Sequence, residues 1–208
     1  MNRRPNPRLR FLLLSPLLVL SACAWGGGGT NEVVETGWIE PSPILRQQIQ
    51  DEAARLPWTH GFERLEQIRW FASVGEPAYP SLLELATDPR DDVAAAALAA
   101  LGATSDRRLV PAIRDLPWAE SRRGSDLGLE RARTLVRLGD WMEIPVLIGG
   151  LRDPRLYTRS LCLDALAEAT HETLGFDPRA EESEREKAVQ RWERWWLDRT
   201  GEGLVSGS

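Results

Sequence analysis

Few residues in this chain are of types that do covalent or acid–base chemistry. It holds two histidines, His60 and His171, and a single lysine, Lys187. His171-Glu172 begins the spacing in which two imidazoles one helical turn apart bind zinc beside a glutamate base. Gly175 stands where the second imidazole is required, so that face holds no two-histidine site. No Gly-x-Ser-x-Gly elbow is present to expose an activated serine. Lys187 lies beside Glu184 and Glu186 on a charged helix face and reads as a solvated side chain, not as a Schiff-base former. No cofactor or metal is expected, and an enzyme relying on Asp and Glu alone is the catalytic reading left open.

Two other residue types stand out. Residues 105–140 carry eight arginines against six acids. Arg122, Arg123, Arg131, Arg133 and Arg137 form a candidate binding face, a shallow groove for an acidic peptide or an anionic glycan. The competing reading is a solvated face paired internally with Asp126 and Glu130. The chain also has nine tryptophans. Trp58, Trp70, Trp118 and Trp141 fall at or near expected helix ends, where indoles either seal seams between helices or stand exposed as anchors for a partner.

The elements that position these residues repeat. Asp88-Pro89-Arg90 recurs as Asp153-Pro154-Arg155, and in the same register Leu98 falls on Leu163. Val110-Pro111-Ala112-Ile113 reads like Ile144-Pro145-Val146-Leu147, and Pro80, Pro111 and Pro145 follow one another at nearly even spacing. Each interval is the length of one helical hairpin. Self-similarity at this period, with two helices per unit, predicts an all-α chain organised as a short α-solenoid. Ser42 caps a helix that starts at Pro43 and ends before Pro57, and a second helix stops at Gly75. The apolar run Val93–Leu101 predicts a buried helix closed by Gly102, and Asp88 and Asp153 are expected to cap helices. The segment 117–125 reads as a polar loop. Ser183-Glu184-Arg185-Glu186 reads as a capping box opening the last helix. On that helix Val189, Trp192 and Trp196 form an apolar stripe widened by Ala188 and Trp195, the pattern of a Trp-rich element capping the last repeat, with Leu174 and Phe176 in the seam.

The segment Met1–Ala22 is of another kind. Arg3, Arg4, Arg8 and Arg10 precede the apolar run Phe11–Leu20, which is too short to span a bilayer and reads as a secretion signal. The junction Leu20-Ser21-Ala22-Cys23 resembles the lipobox of bacterial lipoproteins. The resemblance implies cleavage before Cys23, lipidation of that residue, and, with Ala24 following it, outer-membrane sorting. More than one acyl chain anchors a protein stably, because each buried methylene contributes about 0.8 kcal/mol. Removing the four arginines of the signal leaves 22 basic and 31 acidic residues, a net charge of −9, which disfavours nucleic acid as a partner. Cys162 is then the only free thiol, placed among apolar positions as a buried, inert side chain. Residues 23–41, with Gly26–Gly29, read as a flexible tether reaching roughly 20–25 Å. Residues 42–200 form the helical domain and 201–208 a disordered tail.

The helical hairpins resemble the HEAT-repeat superfamily over about Phe62 to Thr170. The resemblance implies a ladder between repeats, in which an Asp ending one helix meets a basic residue early in the next. Asp153 and Arg159 match that pattern, whereas Ala94 holds the basic position in the copy at Asp88. The segment Leu174-Gly175-Phe176-Asp177-Pro178 with Arg191-Trp192 and Trp195-Trp196 is similar to the ends of small bacterial envelope HEAT proteins. The family consists mostly of protein-binding scaffolds, so it implies a non-catalytic adaptor presenting a rigid face to an unknown protein or peptide partner, held at the membrane through the lipid on Cys23. An envelope enzyme with a carboxylate site, and a structural lipoprotein tying membrane to cell wall, are the alternatives.

Overall fold

A computed structural model describes residues 37–201, so the signal segment, Cys23, most of the expected tether and nearly all of the expected tail lie outside the described residues. Among the described residues every regular element is helical, with ten α-helices and no strand. These are α1 (Pro43–Arg55), α2 (Gly61–Val74), α3 (Tyr79–Leu85), α4 (Asp91–Ala103), α5 (Val110–Arg114), α6 (Glu120–Arg123), α7 (Asp126–Arg137), α8 (Ile144–Gly150), α9 (Leu156–Thr170) and α10 (Glu182–Thr200).

The proline spacing has a common structural cause. Pro80, Pro111 and Pro145 are each the second residue of α3, α5 and α8, directly after a single 3-10 turn. At the helix start a missing N–H costs nothing, and the fixed φ favours the first turn. Ser42 caps α1 as expected, its Oγ accepting from the Leu45 N–H at 3.3 Å. Gly75 ends α2 at φ +70°.

Other helix ends differ from expectation. Gly102 is a buried residue inside α4, and the left-handed position after the helix is taken by Ser105 at φ +55°. Asp88 and Asp153 do not cap the next helix. Each closes the turn over its proline, accepting from the backbone N–H and the guanidinium of Arg90 and of Arg155 respectively. The loop at 117–125 contains α6. The last helix begins one residue before Ser183, with Glu181 at its N-cap and no side-chain cap, so the capping box is not formed. Trp38 and Ile39, assigned to the tether, are docked. The Trp38 ring meets Tyr79 edge-on at 5.1 Å, and the Ile39 N–H donates to Glu76 at 3.1 Å.

α4 packs against α2, α3 and α7; α7 against α4, α8 and α9; and α8 against α9 and α10. α4, α7 and α9 point the same way. For α7 and α9, the starts are tied by Arg155 of the α9 N-cap to Asp126, and the ends by Arg137 to Glu168. One buried cluster joins Phe71, Leu82, Leu98, Leu101, Ile113 and Leu135. A second joins Ile144, Leu147, Leu166, Phe176, Trp192 and Trp196. Each such side chain stabilises by about 1.5–3 kcal/mol relative to exposure. The α10 stripe is buried as its spacing predicts: Ala188, Val189, Trp192 and Trp196 face the second cluster, with Leu174 and Trp195 at its edge. Trp118 seals a seam, its indole N–H donating to the Ala86 carbonyl at 3.0 Å. Trp58 does not, being 79% exposed.

Candidate functional site

The site is built on α7. Its apolar side, Leu127, Ala132, Leu135 and Val136, faces the core. Glu130, Arg133 and Arg137 recur at three- and four-residue spacing on another face, flanked by α4 on one side and α9 on the other.

Three depressions lie along this face. The first, about 300 Å³, has Ala95, Leu129, Leu161 and Cys162 among its lining, Tyr157 at its edge, and Glu130 and Arg133 towards the middle. The second, about 200 Å³, shares Glu130 and Arg133 with the first and extends to Arg137, Glu168 and Ser105. The third, about 540 Å³ and open, shares Ser105 and Arg137 with the second and adds Arg107, Gly139 and Trp141. Consecutive depressions share wall residues, so the three follow one another along α7 as a trough with Glu130, Arg133 and Arg137 at the junctions. With about 1.5 Å of rise per residue, the twelve residues of α7 span roughly 18 Å.

The trough changes character along its length. Its α7 N-terminal end has an apolar floor, bordered by the exposed Tyr157 ring. In the middle, Glu130 and Arg133 pair, both four-fifths buried. Burial raises the Glu130 pKa against the opposing pull of Arg133 and Arg137. At the far end Arg137 holds Glu168 at 2.8 Å. Arg107 is exposed there and lies against Gly139, and its guanidinium forms no ion pair or hydrogen bond among the described residues. Beside it, Trp141 stacks with the Arg199 guanidinium 4.7 Å above its ring, and Arg199 also lies over Trp195 at 5.2 Å.

The arginines expected to share a face are divided. Arg133 and Arg137 line the trough together. Arg131 projects elsewhere, donating to the carbonyls of Ile113 and Arg114 and pairing with Glu143 at 3.5 Å. Arg122 reaches back to Asp91 and the Asp88 carbonyl and stacks on Trp118. Arg123 stays near Glu120 at 3.8 Å. The physical reason is helical rotation: residues 131 and 133 are two apart, on nearly opposite sides of α7.

Seven arginines clamp segments that are distant in sequence. Arg64–Asp92, Arg108–Glu76, Arg122–Asp91, Arg155–Asp126, Arg137–Glu168, Arg114–Asp140 and Arg152–Glu186 join residues 26 to 34 positions apart. Arg159 does not meet the Asp153 carboxylate. It donates to the carbonyls of Asp153, Pro154 and Pro178, and Arg155 takes the carboxylate instead.

Tyr157 is a site residue that sequence reasoning missed, and Arg107, one of the eight arginines of residues 105–140, was not placed on the candidate face. A signal for Arg107 was present: in Asp106-Arg107-Arg108 the carboxylate closes onto the residue two positions on, as in Asp88-Pro89-Arg90, which leaves the intervening arginine free. Among the described residues no group of three His, Cys, Asp or Glu side chains is placed to hold a metal, and no helix is long and apolar enough to cross a membrane. Cys162 is buried, and desolvation pushes its thiol up to about 11. In comparison with known proteins, the chain matches no family model, no curated protein and no solved structure.

Proposed function

We propose that this protein is a non-catalytic adaptor of the bacterial envelope, a HEAT-like α-solenoid anchored through lipid on Cys23 that holds a protein segment in the trough along α7. The observation that carries the reading is Arg107: a cation with no partner among the described residues, at the open end of a trough whose other charges are paired. Supporting the repeat architecture are α4, α7 and α9 lying side by side in one direction, and ion pairs that recur one unit apart. In this account α10 covers the last repeat with Trp192 and Trp196, because a solenoid otherwise exposes an apolar face at its end.

The lipid fixes location, the segment before Trp38 gives reach, and the helices keep the trough rigid, so that little ordering cost opposes binding. Capture from crosslinked envelopes tests the reading. The full-length protein is expected to retain a protein partner that Cys23→Ser loses from the membrane fraction. Radiolabelled palmitate entering the Cys23→Ser protein, or capture of no partner by the parent, would count against it.

A further inference from the structure

We infer that the trough along α7 recognises an extended acidic peptide of about five or six residues, with an apolar side chain at one end and a carboxylate at the other. The inference rests on the adaptor reading and names the chemistry of its partner. Length comes first. An extended strand rises about 3.3 Å per residue, so five or six residues match the roughly 18 Å of α7.

Polarity comes next. The apolar end, floored by Leu129 and Leu161 beside the exposed Tyr157, fits one aliphatic or aromatic side chain. Tyrosine at such a rim offers a large rigid contact with little rotamer entropy to lose. Charge then sets the sign of the other end. Along the trough four arginines, Arg107, Arg133, Arg137 and Arg155, face three carboxylates, Asp126, Glu130 and Glu168. The three carboxylates are each held by an arginine, Arg155 also holding Asp153 beside the trough, and Arg107 is the one lining arginine whose guanidinium has no partner among the described residues. An incoming carboxylate would pair the Arg107 guanidinium. It can also draw on Arg137, whose pair with Glu168 is partly solvated and therefore worth little on its own. A basic peptide would face an arginine at the open end with no free carboxylate to receive it.

Selection from a library of random eight-residue peptides displayed on phage, against the full chain, tests this. Enriched sequences are expected to carry Asp or Glu four or five positions from a Phe, Leu, Ile or Tyr. Synthetic copies should bind about ten- to a hundredfold more weakly to Arg107→Glu, because a charge-assisted hydrogen bond becomes a repulsion. Leu161→Arg should also weaken binding, from the other end. Arg107 has no partner among the described residues, so Arg107→Glu should melt like the parent, which separates lost binding from lost folding. Selection of basic or purely apolar peptides, or of none, overturns the inference. So does binding of dextran sulfate, but of no acidic peptide, at Arg107. Peptides that bind equally well to both variants overturn the trough assignment, and an envelope partner still captured by the Arg107→Glu protein would then leave only an adaptor that binds through another surface.

Discussion

Gly102 of α4 lies directly against Thr134 of α7. A Cβ at Gly102 would sit 3.5 Å from the Thr134 Cα, Cγ2 and Oγ1, and the Thr134 hydroxyl donates to the Leu98 carbonyl at 3.1 Å. The glycine thus serves the approach of two helices and not the ending of one. Its Cβ space is ordinary van der Waals contact, and glycine inside a helix costs roughly 0.5–1 kcal/mol relative to alanine. Gly102→Ala should therefore leave stability unchanged or slightly raised. Gly150→Ala should behave differently, since its Cβ would overlap Cys162 Sγ and crowd Leu129, and Gly128→Ala would strike the Arg123 carbonyl. Overpacking of this kind costs about 1–3 kcal/mol. Denaturant midpoints of the three variants check the order, and a destabilised Gly102→Ala beside an unaffected Gly128→Ala would contradict it.

Trp192 is fully buried, and its indole N–H has no hydrogen-bond partner among the described residues. Truncation of so large a side chain costs about 3–5 kcal/mol. Trp192→Ala and Trp196→Ala should lower the melting temperature with no partner present, whereas Trp58→Ala at an exposed site should not. Equal melting of all four proteins would mean that α10 contributes nothing to stability.

Much of this was readable in the sequence, and the failures have a common cause. The helices follow from apolar spacing and from prolines that tolerate only a first turn, and the stripe on α10 predicted which of its residues are buried. What periodicity does not carry is the destination of a polar side chain. Arg131 and Arg133 are neighbours in sequence but part across α7, and Arg159 finds carbonyls where a carboxylate was expected. Gly102 looked like a stop because a glycine needed for close packing has the same letter as one needed for a left-handed turn. The trough depends on α4, α7 and α9 lying side by side, a tertiary relationship to which no local pattern points.

Acid should weaken the arginine clamps between helices. Hydrogen bonds from Arg155 hold Asp126 and Asp153 below the usual carboxylate range, and Arg108 and Arg152 do the same for Glu76 and Glu186. Depressed carboxylates contribute stability that is present above their unfolded pKa of about 4 and is lost as pH falls through the folded values. Glu130, raised by burial, works in the opposite direction, its contribution being lost as pH rises, but it is outnumbered. Arg155→Gln should therefore be less stable than the parent at about pH 7, with the gap closing as pH falls through the lowered carboxylate values, below the unfolded value of about 4. A gap that stays constant across urea melts from neutral to acid pH would show that Arg155 acts through packing alone.

The most direct measurement is site-specific photocrosslinking in intact envelopes from position 157, at the apolar end of the trough, and from position 58, an exposed tryptophan site outside its lining. The account predicts a protein adduct from Tyr157 and none from Trp58. It also predicts that Arg107→Glu, at the opposite end of the trough, abolishes the Tyr157 adduct. Equal adducts from both positions, or a Tyr157 adduct indifferent to Arg107→Glu, would contradict it.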